Sequence, residues 1–250
     1  MTPRGMTQPR KPPHRAPDFG RLDVPAVLAD LPQRTVNFRP DEVGGPAWNQ
    51  DSHRVRLTPE SPGEPEPRGS WRTACQLVAD YNFCPPEILR AAFHPTEPLL
   101  GRNMLLEGRF SALRLYVPVR VTDVIDERRA PDLRVWGFRY ATLDGHLERG
   151  DLTYEVTKHE RSGDVEFAVS AQSQRAPTLG AVLSLGWAVF GRRRQLLFYR
   201  RCGERMQELT RTSAPRELPG TTFPEQLRFA PDDARATWVD RVSLHRTDPG

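Results

Sequence analysis

Lysine is nearly absent from this sequence. Only Lys11 and Lys158 are lysines, so arginine carries almost all of the positive charge. Arginine binds phosphate and carboxylate groups through paired hydrogen bonds, which lysine cannot do. The net charge of +4 nevertheless comes from a near balance of 36 basic and 32 acidic side chains. That balance permits weak binding to nucleic acid or anionic lipid without requiring it, and no specific nucleic-acid partner is expected.

Cysteines are few and widely spaced. Cys75, Cys84 and Cys202 form no CxxC pair or Cys/His cluster, so we expect no structural zinc site and no other bound metal. Reduced thiols in a cytoplasmic protein are the simplest interpretation. The basic N-terminal segment is not followed by an apolar stretch, which argues against a secretory signal.

Short motifs that would assign an enzyme class are also missing. The sequence contains no GxGxxG or GxxxxGK[ST] tract, and we therefore expect no nucleotide and no other cofactor. No serine lies within GxSxG, and the histidines lack the spacing of a zinc protease. The composition and the absence of these motifs leave two classes of protein open: a binding domain, or an enzyme that uses none of these motifs.

Polar, proline-rich segments indicate the limits of one domain. Residues 1–34 are rich in Pro and Arg and are expected to be disordered, because they offer little apolar surface to offset the loss of chain entropy. Residues 35–212 are expected to form a single α+β domain, and residues 213–250 a mostly irregular tail. Inside the domain, residues 58–69 are expected to be an extended loop or linker.

Apolar spacing predicts helices at both ends of this domain. Residues 71–81 place apolar side chains three and four apart, and Pro85 and Pro86 then suit the start of a short helix that reaches residue 93. Residues 179–209 predict a long C-terminal helix, broken near Gly191.

Between the helices, alternation of apolar and polar residues predicts four strands. They cover residues 113–121, 135–143, 152–159 and 165–171. Short connections make the sheet an antiparallel meander. Pro118 would place the first strand at an edge or beside a bulge.

An apolar stretch at residues 176–191 precedes Arg192, Arg193 and Arg194. Its length of about 16 residues is short of the roughly 20 that a membrane span needs. We expect a helix buried in the core or covering a cavity. The three arginines are either a solvated helix face or a weak contact with a membrane surface.

The tract YATLDGHLERGDLTYEV at residues 140–156 resembles the signature of uncharacterised protein family 0548, a bacterial and plant domain of unknown function. That signature has the form Y-G-T-L-x-G-H-P-E-x-G-E-E-x-F-x-V. The matching residues are Tyr140, Thr142, Leu143, Gly145, His146, Glu148, Gly150 and Val156, and the departures are Ala141, Leu147, Asp151, Leu152 and Tyr154. The resemblance, which covers roughly residues 36–210, implies a curved meander and a long C-terminal helix similar to the helix-grip fold. It implies no activity.

His146 and Glu148 are the main candidates for a site. A histidine close to carboxylates can perform general acid–base chemistry, since its side chain titrates near neutral pH. The alternative is structural: Asp144-Gly145 and Gly150-Asp151 favour tight turns, which His146 would hold through a hydrogen bond to the main chain.

A helix gripped by a curved sheet would enclose a pocket. We expect Trp136, Tyr140 and Trp187 to line it, with Arg139 as a polar group at its mouth. The function we favour is a binding module for a small apolar ligand. The alternatives are an enzyme that uses His146 and nearby carboxylates on such a ligand, and a peripheral partner of anionic lipid or nucleic acid that binds through the arginine-rich helix. The sequence does not predict an oligomeric state.

Overall fold

A computed structural model describes the chain at residues 19, 22–176, 192–212, 227–235, 240 and 244–246. These residues form helices α1 (Val24–Asp30), α2 (Ser70–Ala79) and α3 (Arg192–Thr212). The strands are β1 (Asn49–Arg56), β2 (Leu89–Phe93), β3 (Asn103–Phe110), β4 (Leu113–Arg129), β5 (Leu133–Thr142), β6 (Glu148–His159), β7 (Val165–Arg175), β8 (Arg228–Ala230) and β9 (Leu244–Arg246).

The strands form one sheet in the order β1-β7-β6-β5-β4-β3-β2-β8, in which every neighbouring pair is antiparallel. β9 pairs with β4 in parallel. Strands β2 to β7 follow one another as a meander, as expected when short turns join consecutive strands. The predicted class is confirmed: an α+β, helix-grip-like fold with short helices before the meander and a long helix after it.

Helices α2 and α3 cover one face of the sheet, which we call the inner face. The largest buried apolar cluster lies here, and it includes Phe138, Tyr154 and Phe167 from the strands and Cys202 and Met206 from α3. Of the long helix predicted at residues 179–209, residues 192–209 are helical, and residues 179–191 lie outside the described residues. No helix in the described part of the chain is both long enough and apolar enough to cross a membrane.

The short helix predicted after Pro85 is wrong. Residues 89–93 are strand β2, which pairs with β3 on one side and β8 on the other. Ala91 and Phe93 face the inner cluster, while Ala92 belongs to a second apolar cluster on the opposite, outer face. A strand buried on both faces is a continuous apolar run, and such a run cannot be distinguished from a short buried helix by periodicity.

Of the two positions predicted for Pro118, the sheet edge is wrong, because β4 lies between β3 and β5. A bulge is present in β4, where its pairing with β5 shifts register between Val121 and Asp123. The carbonyl oxygen of Pro118 accepts a hydrogen bond from the amide of Leu143 at 3.1 Å, just beyond the end of β5. The nitrogen of Pro118 points to that same side. The nitrogen of Pro118 carries no hydrogen, but β5 has already ended at this position, so no ladder bond with β5 is missing there. The proline is therefore tolerated in a central strand.

Residues 22–34, expected to be part of a disordered tail, are ordered against the outer face. Asp23 caps α1 by accepting a hydrogen bond from the amide of Ala26 at 3.1 Å, and Pro25 lies in the first turn. Leu28 and Leu31 are buried with Phe19 against residues of β3 and β4. The apolar residues are few, but the larger ones, Val24, Val27 and Leu28, are three and four residues apart and lie on one side of α1, so the segment buries enough surface to pack.

The loop at residues 58–69 is also packed, not a free linker. Glu60 accepts hydrogen bonds from the amide of Trp71 at 2.7 Å and from Lys158 Nζ at 2.7 Å. The side chains of Glu60 and Lys158 are 2% and 0% exposed. One of the two lysines in the sequence therefore neutralises a buried carboxylate and ties the loop to β6.

Part of the segment expected as an irregular C-terminal tail contacts the outer face as well. Residues 228–230 extend the sheet as β8, and Asp240 meets a cluster of buried arginines. Asp240 Oδ1 lies 2.7 Å from Arg109 and 2.9 Å from Arg114, and Glu107 accepts a second bond from Arg109 at 3.0 Å. The planar fork of donors on each guanidinium lets one side chain bridge separate acceptors, a geometry that the single amine of lysine does not reproduce.

We predict that Lys158→Met lowers the free energy of unfolding by about 3–5 kcal/mol, because it leaves the buried Glu60 carboxylate without its cation. The double variant Glu60→Gln/Lys158→Met removes both charges and should recover part of that loss. Equilibrium urea unfolding measures all three proteins.

The matched control is Arg161→Met. Arg161 pairs with Asp132 at 3.2 Å, but its side chain is 80% exposed. Exposed pairs contribute little, so the control should unfold within about 0.5 kcal/mol of the native protein. An equally small effect of Lys158→Met would show that Glu60 and Lys158 are not coupled.

Candidate functional site

The turn between β5 and β6 is held by the segment that follows α1. Thr35 Oγ1 donates to Asp144 Oδ2 at 2.6 Å, and Asn37 Nδ2 donates to the carbonyl of Glu148 at 3.0 Å. Gly145 has a φ of +88°, in the left-handed region that glycine enters without steric cost. Hydrogen bonds from Thr35 and Asn37 therefore fix the turn within the tract at residues 140–156.

Gly150 closes the tract where β6 runs beside β7. A Cβ atom at this position would lie 2.0 Å from the carbonyl oxygen of Gln172, and φ is +150°, so no other residue fits. The amide of Gly150 donates to Thr142 Oγ1 at 2.9 Å. The two ends of the turn are therefore bridged by one threonine hydroxyl.

His146 is held within this turn by the main chain. The amide of Glu148 donates to His146 Nδ1 at 2.9 Å, and Nδ1 also lies 3.0 Å from the carbonyl oxygen of Glu148. Since Asn37 already donates to that oxygen, we assign Nδ1 as an acceptor, which leaves the proton on Nε2. Burial lowers the pKa of His146 from its usual 6.5 to about 4, so the ring is neutral near pH 7.

A pocket of about 140 Å³ lies next to this turn, between the inner face and the first two turns of α3. Its walls are mainly apolar side chains from β3, β4, β6, β7 and α3. They include Leu106, Leu115, Val117, Leu152, Ala171 and Phe198. Polar groups line it too: Thr142, His146, Glu148, Asp151, Ser173, Gln195 and Tyr199.

The arginine-rich start of α3 is tied to the sheet. Arg192 pairs with Asp51 of β1 and also donates to Gln195 Oε1 at 2.8 Å. Gln195 Nε2 then donates to Ser173 Oγ at 3.1 Å and approaches Glu148 at 3.5 Å. Arg194 donates to the carbonyl of Arg109 at 2.7 Å. Of the three successive arginines, Arg193 is the exposed one.

Tyr199 lines the pocket from the second turn of α3. Its side chain is buried, at 2% exposed, and among the described residues its hydroxyl has no hydrogen-bond partner. Burial raises the pKa of Tyr199, and the nearby carboxylates of Glu148 and Asp51 raise it further. A buried hydroxyl without a hydrogen-bond partner costs free energy.

Three tyrosines are buried together on the inner face, and one of them, Tyr140, also lines the pocket. The hydroxyl oxygens of Tyr81 and Tyr154 lie 3.1 Å apart, and burial raises the pKa of Tyr140 beside them. These phenols are neutral hydrogen-bond partners for one another. They contribute rigidity to the inner face, because each is packed among aromatic rings.

The predicted site residues divide into three groups. His146, Glu148 and Tyr140 do meet at the pocket. Trp136 lines a separate, wider groove beside Trp71 and Arg134, at the other end of β5. Arg139 is exposed and contacts Thr153 at 3.2 Å, which puts it on the outer side of the sheet. The expected place of Arg139 at the mouth is therefore corrected, and Trp187 lies outside the described residues.

Sequence reasoning missed the residues that α3 and β7 bring to the pocket. Tyr199 and Gln195 lie in the predicted long helix, and Ser173 lies two residues beyond the predicted fourth strand. Which of these side chains reach the pocket depends on how the helix lies on the sheet. Helical spacing alone does not distinguish Tyr199 from the apolar residues of α3. The feature that distinguishes it is its hydroxyl, which has no hydrogen-bond partner among the described residues. Across the described residues no three His, Cys, Asp or Glu side chains are grouped to hold a metal ion.

Residues 34–205 match the family described as Domain of unknown function (DUF1990). The chain belongs to this family. The matched range spans β1, α2, the meander from β2 to β7 and the first two thirds of α3, so the pocket lies inside the DUF1990 domain. No curated protein matches the chain in sequence.

Solved structures similar to the DUF1990 domain include a hypothetical protein, jhp0584, from Helicobacter pylori. It is 10% identical, with a TM-score of 0.45, over 70% of this chain and 96% of that one. Ara h 8.0201 is 10% identical, with a TM-score of 0.37, over 64% and 99% of the two chains. A conserved protein from Geobacillus kaustophilus is 10% identical, with a TM-score of 0.35, over 65% and 95%.

We predict that His146→Ala lowers the free energy of unfolding by about 1–3 kcal/mol, because it removes the acceptor of the Glu148 amide. His146→Asn places an amide oxygen near the position of Nδ1 and should retain most of the stability. Urea unfolding of both variants measures these free energies. Equal stability of the alanine variant and the native protein would contradict the structural role of His146.

The lowered pKa of His146 also predicts a pH dependence of stability. The unfolded chain takes up a proton near pH 6.5, whereas the folded chain does so only near pH 4. The contribution of His146 is therefore complete above pH 6.5 and decreases as the pH falls toward 4. Unfolding free energies measured across this range should fall more steeply for the native protein than for His146→Asn, and parallel curves would refute the assignment.

Proposed function

We propose that this DUF1990 domain is a binding module for a small apolar ligand. The observation that carries the proposal is the partly open pocket between the sheet and α3, whose walls are mainly apolar and include a few polar groups such as Thr142, His146 and Gln195. Concave sites with mostly apolar walls and a few convergent polar groups are the usual form of a small-molecule site.

The size of the pocket limits what can enter it. Its volume of about 140 Å³ is comparable to that of an apolar cavity of roughly 150 Å³ that holds a benzene molecule. We infer that a single ring or a short alkyl segment fills it. A longer ligand would have to extend beyond these walls.

The arrangement favours binding over acid–base catalysis by His146. The Nδ1 atom is engaged by the main chain of Glu148, and a pKa of about 4 makes the ring a poor proton acceptor at neutral pH. What His146 offers the pocket is an Nε2–H donor. That role suits the orientation of a bound molecule better than proton transfer.

Binding to anionic lipid or nucleic acid through the arginine-rich helix is the weaker alternative. Arg192 and Arg194 make contacts within the domain, and this leaves Arg193 as the exposed member of the run. Farther along α3, the exposed Arg200 and Arg201 both lie beside Glu204, which reduces their attraction to an anionic surface. Membership of uncharacterised protein family 0548 and a cytoplasmic location stay predictions.

We predict that a fluorine-labelled toluene binds the folded protein saturably, as fluorine NMR line broadening measures. Ala171→Leu adds three carbon atoms to the pocket wall on β7 and should weaken this binding about tenfold or more, because the added side chain occupies the ligand's volume.

Ala168→Leu is the matched control, since Ala168 lies on the same strand but alternates to the outer face. This variant should bind the probe as the native protein does. Absence of saturable binding to the native protein, or equal loss in both variants, would reject the pocket as the ligand site.

A further inference from the structure

Arg194 places a positive charge in the wall of the pocket. It belongs to the first turn of α3 and lines the pocket beside Phe110 of β3. Arg192, two residues earlier, is neutralised by the carboxylate of Asp51. Among the residues that the structure describes, no carboxylate forms such an ion pair with Arg194. The two arginines therefore differ in what they can offer to a molecule in the pocket.

Two contacts hold the guanidinium of Arg194 in place. Its Nη2 atom donates to the carbonyl oxygen of Arg109 at 2.7 Å, and its central carbon lies 5.8 Å from the centre of the Phe110 ring. One hydrogen bond leaves most of the N–H donors of a guanidinium available. The main-chain carbonyl accepts a hydrogen bond but carries no net charge, so Arg194 is oriented without being neutralised.

The surroundings of Arg194 favour an anion as its partner. The side chain is half-buried, and the pocket walls beside it are mainly apolar. A charge that is partly removed from water without a counter-ion costs free energy, and an ion pair offsets part of that cost. Arginine binds a carboxylate through two parallel hydrogen bonds, which fix the direction of the bound group as well as its charge.

The carboxylates that line the pocket lie on its other side or outside it. Glu148 begins β6, whereas Arg194 lies beside Phe110 of β3. Strands β4 and β5 separate β3 from β6, which puts those two strands about 14 Å apart across the sheet. Asp151 alternates to the outer face, where it is near Arg139. An anion held by Arg194 would therefore not contact either carboxylate.

We propose that Arg194 determines the specificity of the pocket, and that the ligand is a small apolar carboxylic acid bound as its carboxylate. The apolar part fills the pocket, and the carboxylate pairs with the guanidinium on the side of β3. This inference rests on the proposed function, since it assumes that the pocket holds the apolar part. One guanidinium neutralises one negative charge, so a carboxylate suits the site better than a doubly charged phosphate.

A series of one-ring compounds tests the proposal with the whole chain at pH 7. Fluorine-labelled toluene, benzyl alcohol, benzylamine, phenylacetate and benzyl phosphate differ only in the group attached to the carbon next to the ring. We expect phenylacetate to bind most tightly, and at least about tenfold more tightly than toluene, because it alone adds a matched ion pair. Fluorine NMR titration measures the affinities.

Arg194→Gln removes the charge and retains an N–H donor. It should weaken phenylacetate about tenfold or more and change the affinity for toluene by less than about twofold. Arg194→Lys keeps the charge but not the paired donors, so it should weaken phenylacetate only about threefold, and it tests the role of Arg194 even where the glutamine variant does not fold.

Arg193→Gln is the matched control. It makes the same change in net charge at the neighbouring, exposed position, and it should leave the affinities for toluene and phenylacetate as they are in the native protein.

The outcomes separate this inference from the proposed function. If no member of the series binds, both are overturned. If toluene binds but phenylacetate binds no more tightly, or if another member binds most tightly, the carboxylate ligand is rejected and the pocket stands. Equal weakening of phenylacetate by the variants of Arg193 and Arg194, or equal weakening of toluene and phenylacetate by the variants of Arg194, would reject the role of Arg194.

Discussion

The close approach of α3 to β1 at Gly203 is the contact on which both the core and the pocket depend. A Cβ atom at this position would lie 2.7 Å from Val55 Cγ1 and 3.1 Å from His53 Nε2, so a larger residue would push the helix outward. Glycine inside a helix costs about 1 kcal/mol relative to alanine. Burial of Cys202 and Met206 on either side offsets that cost, and the first turns of the helix are thereby held over the pocket.

Both faces of the sheet are buried, and this accounts for where the helices lie. The inner face is covered by α2 and α3, and α1 and Asp240 each cover part of the outer face. On the outer face, the arginines Arg90, Arg109 and Arg114 are nearly inaccessible and meet the carboxylates of Glu107 and Asp240. A buried ionic network of this kind is expected to specify one geometry more than to add stability, because desolvation cancels much of the attraction.

The cost of desolvating polar groups also has to be offset in the pocket. Its carboxylates, phenols and amides lie against apolar walls, so each polar group either has a partner within the fold or needs one from outside. His146 and Gln195 are satisfied by neighbours, whereas the hydroxyl of Tyr199 lacks a partner among the described residues.

The sequence by itself determined the meander, because β4 to β7 alternate between a buried and a more polar face and alternation is local. It also placed His146 and Glu148 in one turn, because Gly145 and Gly150 favour tight turns on either side of them. It could not identify β2 or α1, whose burial depends on partners distant in the chain. Trp136 and Tyr140 share a face of β5, yet four residues separate them by about 13 Å along the strand, too far for one small pocket. Only the tertiary structure decided that Tyr199 lies opposite His146, because the rotation and height of α3 over the sheet are set by packing at Gly203 and not by helical spacing.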